Sequence, residues 1–336
     1  MSPWALPYVP ILRGGRGELE GLGWLPDDAK DRVAPLVEVP PGSFKATAER
    51  LAVGWGQGRP VLLDTVRLDP SAAIGGRHHL IDLFDRCRGH IKAVPVGGLG
   101  RGIDHTATIA GIVAAEGHGA GLRLDAGDLA EPRQRDRQID GWLAVVDMAP
   151  EEVDLVLDVG EISEPSQVGT LLATHQLLAA LPYADEWRSL TLAGGAFPHL
   201  SPNGHIDSEQ LFERLDWRLW ETVSHGELPR PPGFGDHVLA RPGSLESPPG
   251  PAIVYTSGPS WLVVKRHQLA PTFDELRAAS QLLLGRPEFA GAAHCRGCAH
   301  IQECAAGGST GRWEAWRAAG TCHHIQTSVA QLSGLG

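Results

Sequence analysis

Short runs of Val, Leu and Ile return about every thirty residues along this chain, each followed by polar, helix-compatible sequence, and this recurrence constrains the fold more than any other feature. The runs are "YVPILRGG" from Tyr8, "APLVEVPP" from Ala34, "PVLLDTVR" from Pro60, "IKAVPVGG" from Ile91, "GLRLDAG" from Gly121, "VDLVLDVG" from Val153 and "SLTLAGGAF" from Ser189, with "GDHVLARPG" (Gly235 to Gly243) as the eighth. They lack the strict alternation of a strand with one wet face. Continuous apolar strands are what a parallel sheet covered on both faces requires. Between them, segments beginning at Phe44, Arg77, His105, Pro165 and Ser208 read as crossover helices; in the last, Leu211, Leu215 and Leu219 recur every fourth residue as a packing stripe. Eight such repeats predict an α/β fold, a (β/α)8 TIM-like barrel. The competing topology is a doubly wound open sheet, but no G-x-G-x-x-G opens a helix after the first strand, so its dinucleotide-binding version lacks a phosphate turn.

The barrel is expected over residues 1–245 and a C-terminal extension over 246–336, packed on it without a low-complexity linker. In the extension, "PAIVYTSGPSWLVVKRH" reads as a β-hairpin, and "TFDELRAASQLLLG" as a helix closed by Gly285 and stopped by Pro287. A net charge of -11 argues against a surface built to wrap phosphate backbone, so bulk nucleic-acid binding is not expected. The first residues carry no basic segment leading into an apolar run, and no stretch reaches the roughly 18 apolar residues of a membrane span. A cytoplasmic protein follows as the expectation. Five cysteines, an odd number, fit reduced thiols or metal ligands better than a disulfide framework.

Barrel enzymes place their chemistry at the C-terminal ends of the strands. Here those ends carry Glu38, Asp64, Asp125 and Asp158 together with Arg13, Arg67 and Arg123, and the glycine pairs Gly97–Gly98 and Gly194–Gly195. Four carboxylates converging on one mouth suit acid-base catalysis or a divalent cation; the arginines suit an anionic or phosphorylated small substrate. The plainer reading is that carboxylates and arginines, such as Asp125 and Arg123, pair with one another and close the barrel end. "GGLGRG" (Gly97 to Gly102) could cradle phosphate, although turn chemistry explains it equally well. His78, His79 and His175 lie on helical segments and read as core or surface residues.

Four of the cysteines cluster near the C-terminus, in "HCRGCAHIQEC" (His294 to Cys304) and "TCHH" (Thr321 to His324). The C-x2-C-x5-C spacing predicts structural zinc held by Cys295, Cys298 and Cys304, with Cys322 fourth and His294, His300, His323 or His324 as substitutes. An iron-sulfur cluster is the alternative for this spacing. His323 and His324 could instead face the barrel mouth.

"YVPILRGGRGELEGL", "APLVEVPP", "EWRSLTLAGGAFP", "DWRLW", "FGDHVLARPG" and "WEAWRAAGTCHHI" together resemble the bacteriophage-type beta protein family, over nearly the whole chain. The resemblance implies one continuous fold and a phage-conflict setting; it implies no particular reaction. Two functions follow as expectations. One is a barrel hydrolase or lyase acting on an anionic small molecule. The other is a non-catalytic recognition protein that presents the mouth or the tryptophan-rich extension (Trp217, Trp220, Trp313, Trp316) to a protein partner.

Overall fold

The computed structural model describes residues 8–74, 76–162, 169–198, 209–243, 252–265 and 273–334. The apolar runs form strands β1 (Tyr8–Leu12), β2 (Leu36–Glu38), β3 (Pro60–Asp64), β4 (Lys92–Gly97), β5 (Ala120–Leu124), β6 (Val153–Glu161), β7 (Ser189–Gly195) and β8 (Gly233–Asp236). They close into one barrel in sequence order, and the seam between β1 and β8 is parallel like the rest. Parallel neighbours need long crossovers, and helices such as Phe44–Gly54, His79–Cys87, Ile103–Glu116 and Pro132–Val146 supply them. The (β/α)8 expectation is met.

Because side chains alternate along a strand, one set fills the barrel interior: Val9, Ile11, Ala34, Leu36, Leu62, Val94, Val96, Val156 and Ala193. The other set packs outward against the helices, where the larger apolar core lies. Continuing the inward rows by two residues reaches Arg13 after Ile11, Glu38 after Leu36, Asp64 after Leu62 and Asp158 after Val156. The same parity carries Arg123 and His237 inward at the ends of β5 and β8. Strand register alone therefore assembles a charged layer on an apolar plug.

Two expectations about local structure are corrected. The eighth strand begins earlier than the run from Gly235 and stops at Asp236, because Val238 turns the chain with φ at 52°. The helix expected from Ser208 starts only at Leu215; Glu209–Glu213 is instead an edge strand, antiparallel to Ser260–Lys265, with Leu211 opposite Leu262 and 50% exposed. A leucine at every fourth position fits both a helix stripe and alternate residues of a strand. The hairpin Ala252–Ser257/Ser260–Lys265 offered a free edge, and cross-strand pairing decided the outcome.

Beyond the hairpin follow helices Phe273–Leu284, Arg296–Ala305 and Trp313–Ser333. The last runs unbroken through Cys322, which therefore lies inside a helix and not after one. This helix lies against the Arg16–Gly23 helix so closely that a Cβ on Gly17 would stand 2.6 Å from the Glu314 carbonyl oxygen, and one on Gly21 2.4 Å from that of Ala318. Only glycine allows that approach. A second tie is a buried polar network on the outer face of β8. Asp236 accepts from Tyr8 Oη (3.0 Å), Arg214 Nη2 (3.1 Å) and His324 Nε2 (2.7 Å), while the Thr256 hydroxyl lies 2.8 Å from His324 Nδ1. Arg214 continues to Ser328 and Gln331 of the last helix. Buried polar groups bonded to one another across two elements favour one docking geometry, although Arg214 Nε itself has no hydrogen-bond partner among the described residues. No described helix is long and apolar enough to cross a membrane.

Candidate functional site

At the C-terminal end of the barrel the Arg123 guanidinium stands among three carboxylates. Nη1 donates to Glu38 (2.9 Å) and Asp64 (2.9 Å), and Nη2 and Nε to Asp158 (2.6 and 3.1 Å). Arg101 Nη1 adds a bond to Asp64 of 2.6 Å, and His237 Nε2 lies 3.1 Å from both oxygens of Asp158. All are buried or nearly so. Burial alone would raise both aspartates, but the Arg101 and Arg123 guanidiniums hold Asp64 below the ordinary carboxylate range. His237 and then Arg123 do the same for Asp158. Arg123 in turn is raised, its three carboxylates outweighing the desolvation that would lower it. These groups are ionised across the physiological range. Neither aspartate has a proton to donate, and the guanidinium occupies the space in which a divalent cation could have sat.

The remaining expected residues divide. Asp125 does not join the layer: it is exposed and caps the Ala126–Ala130 helix, accepting from the amides of Gly127 (2.8 Å) and Asp128 (3.0 Å), the usual work of an N-cap aspartate. Arg13 and Arg67 converge at the rim, where Arg67 Nη1 reaches the Arg13 carbonyl at 3.5 Å. Arg13 is half-buried and donates through Nη2 to the Arg241 carbonyl; desolvation lowers its guanidinium, the nearby carboxylates of Glu18 and Glu38 oppose that, and the like charges of Arg317 and Arg67 add to it. The glycines serve close packing: a Cβ on Gly97 would meet Trp142, on Gly98 the Arg101 side chain, on Gly194 Ile162, and on Gly195 Pro242 and then His237. His79 is fixed by Thr65 and the Ala72 carbonyl, and His78 by the Pro70 carbonyl, as core histidines are.

His237 and Arg101 are the mouth residues that sequence reasoning missed. Their signals were present: His237 lies two residues past inward-facing Gly235, and Arg101 sits in the glycine-rich β4 loop. Hydrogen bonding to Asp158 through Nε2 leaves His237 Nδ1 without a partner among the described residues.

The thiol cluster sits elsewhere, between the hairpin and the last two helices. Cys295 caps the Arg296–Ala305 helix, and its Sγ lies 3.5 Å from that of Cys298 and 3.8 Å from His323 Nδ1; Cys298 Sγ lies 3.3 Å from the same nitrogen. Hydrogen bonds from Cys298 and then Cys322 pull the Cys295 thiol far below its ordinary value. His323 Nε2 bonds the Thr256 carbonyl at 2.8 Å, which presents Nδ1 to the sulfurs. His294, Cys295 and His323 form a group whose donor atoms all lie within 4.8 Å, able to hold a metal. Of the four expected cysteine ligands only Cys295 belongs to that group; Cys298, Cys304 and Cys322 do not, although Cys298 Sγ lies 3.5 Å from Cys295 Sγ. Six residues beyond Cys298 on one helix, Cys304 is displaced about 9 Å along the axis, and it is buried apart from the other sulfurs. His323 belongs to the group, and His324, turned to Asp236, serves neither the cluster nor the mouth.

No curated relative matches the sequence. Among solved structures the chain is similar to a triosephosphate isomerase from Bartonella henselae, at 12% identity and a TM-score of 0.37, covering 68% of this chain and 91% of that one. So slight a likeness says nothing about chemistry. The family model described as Beta protein matches residues 8–330, and the chain belongs to the Beta protein family.

Proposed function

We propose that the barrel mouth is the active site of a hydrolase or lyase acting on an anionic small molecule, with His237 as its general base or acid. The observation that carries this reading is the Asp158–His237 pair. A histidine 5% exposed, at the C-terminal end of a barrel strand, is oriented through one ring nitrogen by an ionised carboxylate and keeps the other nitrogen free. That division of labour is what proton transfer near neutral pH requires. Glu38, Asp64 and Arg123 hold the layer rigid, and Arg123 fixes the second face of Asp158. Arg67, which reaches the Arg13 carbonyl at the rim, is placed to meet a substrate phosphate or carboxylate there.

The thiol cluster has a separate role, as structural zinc bound by Cys295, Cys298, Cys322 and His323 with His294 beside them. Zn–S bonds of about 2.3 Å and Zn–N bonds of about 2.0 Å put tetrahedral donors roughly 3.5–3.8 Å apart. Cys295, Cys298 and His323 stand at 3.3–3.8 Å. The His323–Thr256 bond is the outer-shell contact that ligating histidines make.

The experiment is to incubate the protein with a panel of phosphorylated and carboxylated small molecules and follow their consumption by mass spectrometry. At least one anion should turn over, and His237→Asn should abolish that turnover while the variant still unfolds in one cooperative transition. Turnover that survives His237→Asn, or none on any anion, would overturn the reading in favour of non-catalytic recognition.

A further inference from the structure

Cys295 and Cys298 form a C-x-x-C pair at the start of the Arg296–Ala305 helix. Cys295 is the N-cap, with extended backbone (φ -160°, ψ 166°), and the Cys298 amide in the first turn donates to Cys295 Sγ at 3.3 Å. The two sulfurs are thereby held 3.5 Å apart. A disulfide needs about 2.05 Å between sulfurs, and residues three apart across a helical turn are already neighbours. Closing this pair takes side-chain rotation, with no shift of one element against another. The other thiols of the extension lack that freedom. Cys304 is carried about 9 Å along the same helix. Cys322 belongs to the last helix, which meets the Arg296–Ala305 helix so closely that a Cβ on Gly297 would stand 2.1 Å from the Ala319 carbonyl oxygen. The two helices can approach no further. On the hairpin side the Tyr255 hydroxyl lies 3.3 Å from Cys298 Sγ, and the Tyr255 ring stacks on His323 at 3.8 Å. Cys298 is fully buried and Cys295 is 9% exposed, so a reagent from solvent meets Cys295 first.

We propose that this pair is a redox switch: a hydroperoxide converts Cys295 and Cys298 to a disulfide, and the metal they hold is released. Cys295 Sγ attacks the outer oxygen of the hydroperoxide, the O–O bond breaks, and the inner oxygen leaves with a proton as water or an alcohol. The sulfenic acid left on Cys295 stands beside Cys298 Sγ, which forms the S–S bond and displaces the hydroxyl as water. The sulfurs give up two electrons in all, and the peroxide is reduced by two; with a metal in place, the two protons come from solvent instead of the thiols. A metal is held by thiolates, so the disulfide strips two donors from the set and leaves Cys322 and His323. Both of these lie on the last helix, and the joint that the metal makes between that helix and the Arg296–Ala305 helix is lost with it. The release of metal rests on the zinc assignment of the proposed function; the disulfide does not.

The test treats the full chain, as purified, with hydrogen peroxide in small molar excess and a chromogenic zinc chelator. Thiols counted after denaturation should fall from five to about three, bound zinc should be released in step, and a dithiol reductant should restore the thiols. Trypsin cuts after Arg296, between the two cysteines, so the Cys295–Cys298 disulfide should appear by mass spectrometry as two linked peptides. Cys298→Ser should trap Cys295 as a sulfenic acid that dimedone labels, and Cys322→Ser should still form the disulfide. Should either variant fail to fold, the wild-type peptide map decides alone. If no zinc copurifies, the disulfide should form regardless, which separates failure of the zinc assignment from failure of this inference. A disulfide mapped to Cys304 or Cys322, or five free thiols after excess peroxide, overturns the switch. Disulfide formation with zinc retained overturns the release.

Discussion

Arg123→Met removes the one cation that three buried carboxylates share, and its consequence can be worked from the contacts. Breaking a buried pair by deleting one partner costs about 3–5 kcal/mol, since the partner left behind is charged and dry. Arg101 still faces Asp64, and His237 still faces Asp158, so the loss falls at the lower end, about 3 kcal/mol. An unfolding entropy of about 2.1 cal/mol/K per residue amounts to about 0.7 kcal/mol/K for 336 residues, which translates the loss into a fall of about 4 °C in melting temperature at pH 7. The pH dependence gives a sharper test. In the native protein Asp64 and Asp158 are lowered, so their contribution is complete above the unfolded carboxylate value near 3.9 and fades only as pH falls through the folded values. Without Arg123, burial pushes the folded carboxyls upward. Their contribution is then largest at low pH and fades as pH rises. The gap between the two proteins should therefore be widest at pH 7 and shrink at pH 5, measured by calorimetry at constant ionic strength. A fall under 1 °C, or a gap that does not change with pH, would refute the view that Arg123 neutralises a buried acidic layer. Arg218→Met, which breaks only the half-exposed pair with Glu213, serves as the control and should leave the transition where it is.

Elemental analysis of the purified protein should find about one zinc per chain; Cys298→Ser and His323→Ala should lose it, and Cys304→Ser should keep it. Loss of metal in Cys304→Ser would return that residue to the ligand set, and iron with visible absorption would replace zinc by a cluster. Gly21→Val places a side chain where the Ala318 carbonyl already lies, and overpacking of this kind costs about 1–3 kcal/mol. A melting temperature within 1 °C of wild type would show that the last helix does not depend on that contact.

The barrel was legible because two-sided burial leaves an unmistakable trace in composition: seven of the eight runs coincide with strands, and only the glycine-rich eighth is displaced. The Glu209–Glu213 segment was not legible, because its conformation is decided by an edge more than forty residues away along the chain. In the mouth, position at the strand ends identified Glu38, Asp64, Arg123 and Asp158 but could not reveal that one guanidinium binds all three carboxylates. The same criterion drew in Asp125, whose side chain found two helical amides close at hand and needed no partner across the barrel. His237 was hidden inside a run read as strand. In the cysteine segment, spacing pointed to a metal site but assigned Cys304 to it. A loop could have folded it back; the Arg296–Ala305 helix carries it away.

The end of β8 joins the two halves of the molecule through three consecutive residues. Asp236 points outward and gathers Tyr8, Arg214 and His324, tying the last helix to the barrel wall. His237 points inward to Asp158. Val238 then takes a positive φ of 52°, a conformation that β-branched residues rarely adopt, while its amide donates to Asp236 Oδ1 at 3.0 Å. Such strain persists only where surrounding contacts over-determine it. Here the outward network and the inward pair hold adjacent residues on the two faces of the strand, and the Val238 amide hydrogen bond to Asp236 fixes the turn that follows. The extension therefore bears on the mouth through the end of β8. The strained turn is thus held at the same strand end that carries both Asp236 and His237.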